Sequence, residues 1–366
     1  MARLVANPKL SFLHLTSTII AIYRPKHKAA YKRRKPQDMT PEIGNSNKEQ
    51  SYDLPMLQQT EAHKSLQQGV KLYKGRHFDD AIAHFEQALS VYTKLEDDSG
   101  LAKVNCYLGL AYYAKGDYQK AIKYTSISLE KARFIKNKRL EAQVLGNLGN
   151  SHRHLGEYVI AIEYQQKSLV ILQQLQDELG AMIGFNNLGL VYKALGEYKQ
   201  AIASQEQSLS LARKLNDSKT EGQILKNLGN ACYALGDYNN AINYYEQRLA
   251  IARQFSNTRM EAQILKNLAN VCHTIGEYHQ AISYSKERLE TARLLEDHRL
   301  EEQALGRLGV AYDALGEYAQ AIYYYEQRLK VARIIPDTKV ERQTLGSLRV
   351  ACYALGDYAK ILEHQE

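Results

Sequence analysis

The chain has 366 residues, of which 45% are hydrophobic and 24% are charged, a balance typical of a folded, soluble protein. Its formal net charge at pH 7 is +8, but residues 1–37 hold nine Lys or Arg residues and no acidic residue. Subtracting nine from eight leaves about −1 for the remainder. The body of the protein therefore lacks the basic excess of a protein that binds the nucleic-acid backbone, and we predict no nucleic-acid partner.

The first predicted element is residues 1–61, a basic segment that we interpret as disordered. Its stretch "LSFLHLTSTIIAIY", residues 10–23, is shorter than the roughly 20 residues that span a membrane. The Lys- and Arg-rich flank is compatible with a signal-like or surface-anchoring segment. The alternative is a spurious extension ahead of Met39. We favour disorder or a spurious extension, and we predict no membrane contact outside residues 1–37.

From residue 62 onward the sequence repeats itself every 40 residues. The Leu of an "LG" or similar pair recurs at Leu108, Leu148, Leu188, Leu228, Leu268, Leu308 and Leu348. The Gly of a "G[DE]Y" turn recurs at Gly116, Gly156, Gly196, Gly236, Gly276, Gly316 and Gly356. With a looser copy at the start, the predicted repeats are 62–95, 102–135, 142–175, 182–215, 222–255, 262–295, 302–335 and the incomplete 342–366. The whole segment 62–366 is one repeat array.

Each repeat has the apolar spacing of two helices. The predicted apolar stripe of helix A is Ile224, Leu225, Leu228, Cys232 and Leu235, and that of helix B is Tyr238, Ala241, Ile242, Tyr245 and Leu249. Gly236 suits a left-handed helix end, and Asp237 suits the start of helix B. The small residues Gly229 and Ala241 are expected where the two helices cross. One pair cannot bury its own stripe, so neighbouring pairs must cover it.

The repeats resemble the tetratricopeptide repeat family. Its signature residues are matched at Leu188, Gly189, Tyr192, Gly196, Tyr198 and Ala201. The resemblance implies an all-α, right-handed superhelical solenoid of about eight antiparallel helix pairs. The usual helix-ending Pro is replaced by Arg at Arg133, Arg213, Arg253, Arg293 and Arg333. Since Arg favours helix, helix B is predicted to run on. Repeats of this length are similar to those of Pins-type adaptors, whose G-protein-binding motifs are absent here, and to those of bacterial tetratricopeptide proteins.

Nothing in the sequence indicates catalysis, a metal site or a cofactor, so we predict a protein that is not an enzyme. The recurring acids Glu221, Glu261, Glu301 and Glu341 lie near the starts of A helices. They complement the helix dipole, as do the Arg residues near the ends of B helices, and the two series are expected to pair. The four cysteines are too far apart by repeat geometry for disulfides and predict reduced thiols in the cytoplasm.

Family geometry places a set of amides and cations on the concave side of the A helices. The predicted partner-binding residues are Asn150, Arg153, Asn186, Lys193, Lys226, Asn230, Lys266, Asn267, Asn270, His273, Gln303 and Arg307, with Gln143, Gln223 and Gln263 beside them. Amides can pair with an extended backbone and cations with carboxylates, so an acidic peptide or protein segment is the predicted partner.

A co-chaperone clamp for an acidic chaperone tail is a sharper possibility within the family. The positions that match its residues are Lys226, Asn230, Asn267, Gln303 and Arg307, with Gln303 standing where the clamp has Lys. For the whole chain we predict a non-catalytic interaction scaffold that binds an extended or helical segment. The alternative is a sensory or autoinhibitory module of a larger signalling protein whose effector domain is missing or separate.

Overall fold

The computed structural model describes residues 50–357, which form fifteen α-helices and no strand. Residues 1–49 of the predicted N-terminal segment 1–61, and residues 358–366 of the predicted last repeat, lie outside the described residues. The first helix begins at Gln50, ahead of the predicted start of the array at residue 62. The prediction of an all-α stack of helix pairs is confirmed.

Contacts divide the chain into two compact units, one up to Leu195 and one from Gly196. The N-terminal unit contains α1 (Gln50–Lys74), α2 (Phe78–Lys94), α3 (Asp98–Lys115), α4 (Tyr118–Phe134), α5 (Lys138–His154), α6 (Tyr158–Gln174) and α7 (Glu178–Leu195). The C-terminal unit contains α8 (Tyr198–Lys214), α9 (Ser218–Leu235), α10 (Tyr238–Gln254), α11 (Thr258–Thr274), α12 (Tyr278–Leu294), α13 (His298–Ala314), α14 (Tyr318–Ile334) and α15 (Thr338–Leu355). Odd-numbered helices are the A helices of the repeats, and even-numbered helices are the B helices.

The turn from helix A to helix B depends on glycine, as predicted. All seven glycines of the "G[DE]Y" turns have positive φ, from +76° to +91°. In this left-handed region a side chain would be strained. In the turn after α9, the backbone N–H of Gly236 donates to the carbonyl of Tyr233. The carboxylate of Asp237 accepts from the backbone N–H of Asn240 at 3.3 Å and starts α10, which confirms its predicted role.

The turn from helix B to the next helix A uses a different device. A residue other than Gly adopts φ between +49° and +55° at Glu96, Lys136, Gln176, Asn216, Ser256 and Glu296. The next residue is Asp or Asn, and its side chain accepts from the backbone N–H three residues on at 2.9 to 3.1 Å. Asp337, which follows Pro336, caps α15 in the same way at 3.2 Å. This cap satisfies a donor at the start of each A helix from α3 to α15.

The predicted pairing of the Arg and Glu series is present. Arg133, Arg213, Arg253, Arg293 and Arg333 each donate from Nε to the Glu eight residues later, at 2.7 to 2.9 Å. These Arg residues lie within their B helices, which confirms that helix B continues past the family's usual Pro position. The pairs link the last turn of a B helix to the first turn of the next A helix.

The core lies between successive helices of each unit. In the pair α9–α10, the predicted crossing residues Gly229 and Ala241 are buried, and Ala241 is fully enclosed. The predicted stripe residue Leu235 is an exception, because it is 39% exposed at the end of α9. The last buried residue of α9 is Cys232, about one turn before the helix ends at the cap residue Gly236.

Candidate functional site

A helices of neighbouring repeats approach one another in both units. In the N-terminal unit α1 contacts α3, α3 contacts α5, and α5 contacts α7; in the C-terminal unit α11 contacts α13. We call the surface of α9, α11, α13 and α15 the A face of the C-terminal unit. Eight predicted site residues lie on three of its helices, namely Lys226 and Asn230 on α9, Lys266, Asn267, Asn270 and His273 on α11, and Gln303 and Arg307 on α13.

The four predicted site residues of the N-terminal unit are largely enclosed. Asn150 and Asn186 are each only 6% exposed, and the Asn150 Oδ1 accepts from the Gln165 side chain at 3.1 Å. Arg153 and Lys193 are half-buried, and Arg153 Nη2 lies 2.8 Å from the Nε2 of the neighbouring His154. The two Asn side chains therefore lie inside the helix packing. Their position in the repeat did not by itself show this.

In the C-terminal unit, Lys226 lies next to a buried arginine. Arg248 on α10 is 6% exposed, and its Nε and Nη1 have no hydrogen-bond partner within the described structure. Burial lowers the pKa of Lys226, and the nearby charge of Arg248 lowers it further. Burial also lowers the pKa of Arg248. Two cations thus share a partly desolvated position without a neutralising acid.

A second group of cations lines a cleft farther along the A face. The cleft has a volume of about 410 Å³. Its charged lining residues are Lys266, Arg288, Arg307, Arg328 and Glu302. We call this region the cationic cleft. It brings together the predicted site residues Lys266, Gln303 and Arg307, whereas Lys226 is not among its lining residues.

The arginine on α12 is the most buried cation of the cleft. Arg288 is 2% exposed, its Nη2 donates to the Gln303 side chain at 2.8 Å, and its Nε has no hydrogen-bond partner in the described structure. Burial, with the charge of Arg307 beside it, lowers its pKa to about 10, although Glu302 and Asp297 act in the opposite direction. Burial lowers the pKa of Lys266 as well, and the charges of Arg288 and Arg307 add to the effect.

Several predicted amides are already engaged by the fold. The Oδ1 of Asn230 accepts from the Tyr245 hydroxyl at 2.7 Å, and the Oδ1 of Asn267 accepts from Gln263 at 3.5 Å. In contrast, Asn270 Oδ1 and His273 Nε2 are buried and have no hydrogen-bond partner within residues 50–357. Burial lowers the pKa of His273, and the charge of Arg307 adds to this. Asn270 and His273 therefore each hold a buried polar atom whose hydrogen-bonding capacity the described structure does not use.

The sequence prediction missed the buried arginines. They occupy one repeat position, which is Ala88, Ser128, Ser168 and Ser208 in earlier repeats and Arg248, Arg288 and Arg328 in later ones. The small residues are buried, and Ser128 and Ser168 donate to backbone carbonyls of the preceding A helices at 2.6 and 2.7 Å. The signal that could have identified these residues is the change from Ser to Arg at a repeat position that the helical spacing places in the core.

The described structure offers no sign of metal chemistry or of a membrane span. Among residues 50–357, no three His, Cys, Asp or Glu side chains are placed to hold a metal ion. No described helix combines the length and apolar character needed to cross a bilayer.

Among curated proteins, the chain is similar to human G-protein-signaling modulator 1, with 36% identity over 84 residues. The match covers 23% of this chain and 12% of that protein, so this chain spans only a small part of that relative. The similarity to Pins-type adaptors inferred from the sequence is confirmed.

Solved structures share the fold at low identity. One is a Signal Transduction ATPase with Numerous Domains from Pyrococcus horikoshii, which has a tetratricopeptide repeat sensor. The TM-score is 0.58 at 17% identity, and the match covers 83% of this chain and 51% of the ATPase chain. The apo form of RapI gives a TM-score of 0.52 at 18% identity and covers 70% of this chain and 99% of its own.

Family models cover most of the repeat region. A model described as tetratricopeptide repeat matches residues 69–133, 180–254 and 260–334, and a second model of the same description matches residues 108–175. Together with the helix pairs and their glycine turns, these matches show that the chain belongs to the tetratricopeptide repeat family.

Proposed function

We propose that the chain is a non-catalytic interaction scaffold whose C-terminal unit binds an acidic peptide segment along its A face. The observation that carries this proposal is a surplus of partly desolvated positive charge. Lys226 lies beside Arg248, and Lys266 lies beside Arg288 and Arg307. The lowered pKa values of Lys226 and Lys266 reflect burial and repulsion without sufficient neutralisation. Carboxylates of a bound segment would supply the missing charge.

On the A face, cations would bind the acidic side chains of the segment, and amides would bind its backbone. Lys226, Lys266 and Arg307 attract the acidic side chains, and several cations acting together also speed encounter. Asn270 is half-buried, and its unpartnered Oδ1 can accept a backbone N–H of the segment once the side chain turns outward. Asn230 and Asn267 contribute their amide N–H groups, because their oxygens are held by Tyr245 and Gln263.

The test uses two fluorescent peptides of equal length, octaglutamate and octaglutamine, and measures binding by anisotropy. We expect octaglutamate to bind and octaglutamine not to bind, with affinity falling as salt is added. Lys226→Glu combined with Arg307→Glu should weaken octaglutamate binding at least about tenfold, equivalent to about 1.4 kcal/mol. Binding that ignores both salt and these charges would overturn the proposal.

The control must make the same change in charge away from the A face. Lys199→Glu with Lys330→Glu meets this need, because both lysines are exposed on B helices and form no ion pair in the described structure. Arg253 and Arg293 are unsuitable, because their pairs with Glu261 and Glu301 would become repulsive. The control variant should bind octaglutamate within about twofold of the parent, since exposed isolated charges contribute little.

We infer a sensory module as the second candidate, supported by the fold similarity to the ATPase with a tetratricopeptide repeat sensor. Hydrogen exchange with and without octaglutamate separates the two roles. A scaffold should gain protection only near the bound peptide, whereas a sensor should also change at distant helices. For either role we place the protein in the cytoplasm, a proposal that the four buried cysteines, none of them in a disulfide, support.

A further inference from the structure

The cationic cleft contains more positive charge than its own carboxylate can neutralise. Four cations and one acid line it. The acid, Glu302, is already used, because its Oε1 accepts from Arg328 Nε at 2.7 Å. Both side chains are nearly enclosed, at 8% and 11% exposure, so this pair is a fixed part of the wall. Lys266, Arg288 and Arg307 therefore remain without a matching negative charge inside the cleft.

The free donor capacity lies at the most buried of these cations. Arg288 is only 2% exposed, and its Nη2 donates to the Gln303 side chain. Its Nε has no hydrogen-bond partner in the described structure. Asp297 is close enough to act on Arg288 electrostatically, yet its Oδ1 already accepts from the backbone N–H of Leu300 at 3.1 Å. A buried guanidinium with an unpartnered donor is costly, and because Arg288 lines the cleft, an oxyanion bound there would offset its charge.

We propose that the cationic cleft is a subsite for the phosphoryl group of a phosphoserine or phosphothreonine in the bound acidic segment, an inference that rests on the proposed function. Three unmatched cations exceed the single charge of one carboxylate. A phosphoryl group carries a charge of about −1.5 to −2 and presents three acceptor oxygens. Arg288 and Arg307 suit such a group, because guanidinium forks bind phosphate oxygens in pairs, and Lys266 adds a point charge.

The distribution of charge favours a phosphorylated peptide over a nucleic acid. A nucleic-acid strand presents a row of phosphates and needs cations spaced along its path. Here the uncompensated cations of the cleft are concentrated at one place, and the wall includes the acid Glu302. One phosphoryl group within an otherwise carboxylate-bearing segment matches this arrangement better.

The experiment compares three acidic peptides of one sequence that carry Ser, phosphoserine or Glu at a central position. Binding to the full chain is measured by calorimetry at fixed ionic strength. We expect the phosphoserine peptide to bind at least about tenfold more tightly than the Glu peptide, because charge and acceptor number both increase. Inorganic phosphate should compete with the phosphoserine peptide more strongly than acetate does. A short single-stranded oligonucleotide should compete weakly.

Two variants connect this preference to the cleft. Arg288→Met keeps an apolar stem in the buried position, and Arg307→Gln changes an exposed residue whose loss should not affect folding. Each should reduce the phosphoserine-to-Glu preference to less than about threefold. Lys330→Gln, an exposed cation on α14 outside the cleft, should leave the preference intact. The exposed Arg307 variant keeps the test valid if Arg288→Met unfolds.

The outcomes for the subsite and for the proposed function can be separated. Equal binding of the phosphoserine and Glu peptides, or a preference that survives Arg307→Gln, would overturn the phosphoryl subsite while acidic-peptide binding stood. Tighter binding of the oligonucleotide than of the phosphoserine peptide would overturn it in favour of nucleic acid. Binding of the phosphoserine peptide with no binding of octaglutamate would support the subsite and refute the broader proposal.

Discussion

Gly229→Ala should destabilise the protein, because α9 and α10 touch at this glycine. A Cβ added to Gly229 would lie 2.5 Å from Cε1 and 2.7 Å from Cδ1 of Tyr245. Carbon atoms pack comfortably at about 3.5 to 4 Å, so the ring would have to move by roughly 1 Å. Tyr245 is only 3% exposed, and its hydroxyl donates to Asn230 at 2.7 Å. Moving the ring therefore disturbs both the core and a hydrogen bond.

The expected loss can be assembled from three contributions. Overpacking costs about 1 to 3 kcal/mol, weakening the hydrogen bond costs up to about 1 kcal/mol, and Ala returns up to about 1 kcal/mol of helix propensity. The last two contributions are similar in size and opposite in sign, so the free energy of unfolding should fall by about 1 to 3 kcal/mol. Gly222→Ala in the same helix is the control, because its Cβ would meet only Ile251 Cγ2, at 3.8 Å. That variant should gain up to about 1 kcal/mol.

Urea unfolding followed by far-ultraviolet circular dichroism measures both variants, with the midpoint compared at constant slope. The next repeat supplies a rescue, because it has Ala269 and Ser285 where this repeat has Gly229 and Tyr245. In a Tyr245→Ser background, Gly229→Ala should therefore raise the midpoint. A midpoint that rises for Gly229→Ala alone, or an effect identical in both backgrounds, would refute the packing argument.

Two further predictions concern buried titratable groups. Burial, with the charge of Arg153, lowers the pKa of His154 from 6.5 to about 4, so only the unfolded chain gains a proton in this range. Stability should be complete above pH 6.5 and fall by at most about 3 kcal/mol toward pH 4, and urea unfolding should show a shallower fall for His154→Gln. Burial raises the pKa of Cys106 and Cys232 to about 12. All four buried thiols should resist a disulfide reagent until urea unfolds the chain, and fast reaction in native buffer would contradict their burial.

The sequence by itself determined the repeat, the helix pairs and the turns, because these depend on interactions between residues close in the chain. Gly236 ends a helix because it can adopt a positive φ, and the carboxylate of Asp237 caps the next helix by accepting from the backbone N–H three residues later. The pairing of Arg253 with Glu261 spans eight residues and one turn. Such features are repeated every 40 residues, so each copy strengthens the prediction from the others.

The tertiary structure decided which polar side chains face a partner and which face the core. Asn150 and Lys226 are both among the predicted partner-binding residues. Asn150 is buried and hydrogen-bonded to Gln165, whereas Lys226 is half-exposed beside Arg248. Helix phase gives only a direction from the axis. Whether a side chain reaches solvent depends on the size of the residue opposite it on another helix.

The cationic cleft illustrates the same limit. Arg288 occupies a position that holds Ser in earlier repeats, so the repeat pattern marks it as core and gives no hint of a ligand. Only the packed structure brings it beside Lys266 and Arg307, residues from two other helices. Its charge is only partly offset, because Glu302, the acid of the cleft, is paired with Arg328. The binding chemistry proposed for this protein therefore arises from contacts between helices, which no single repeat contains.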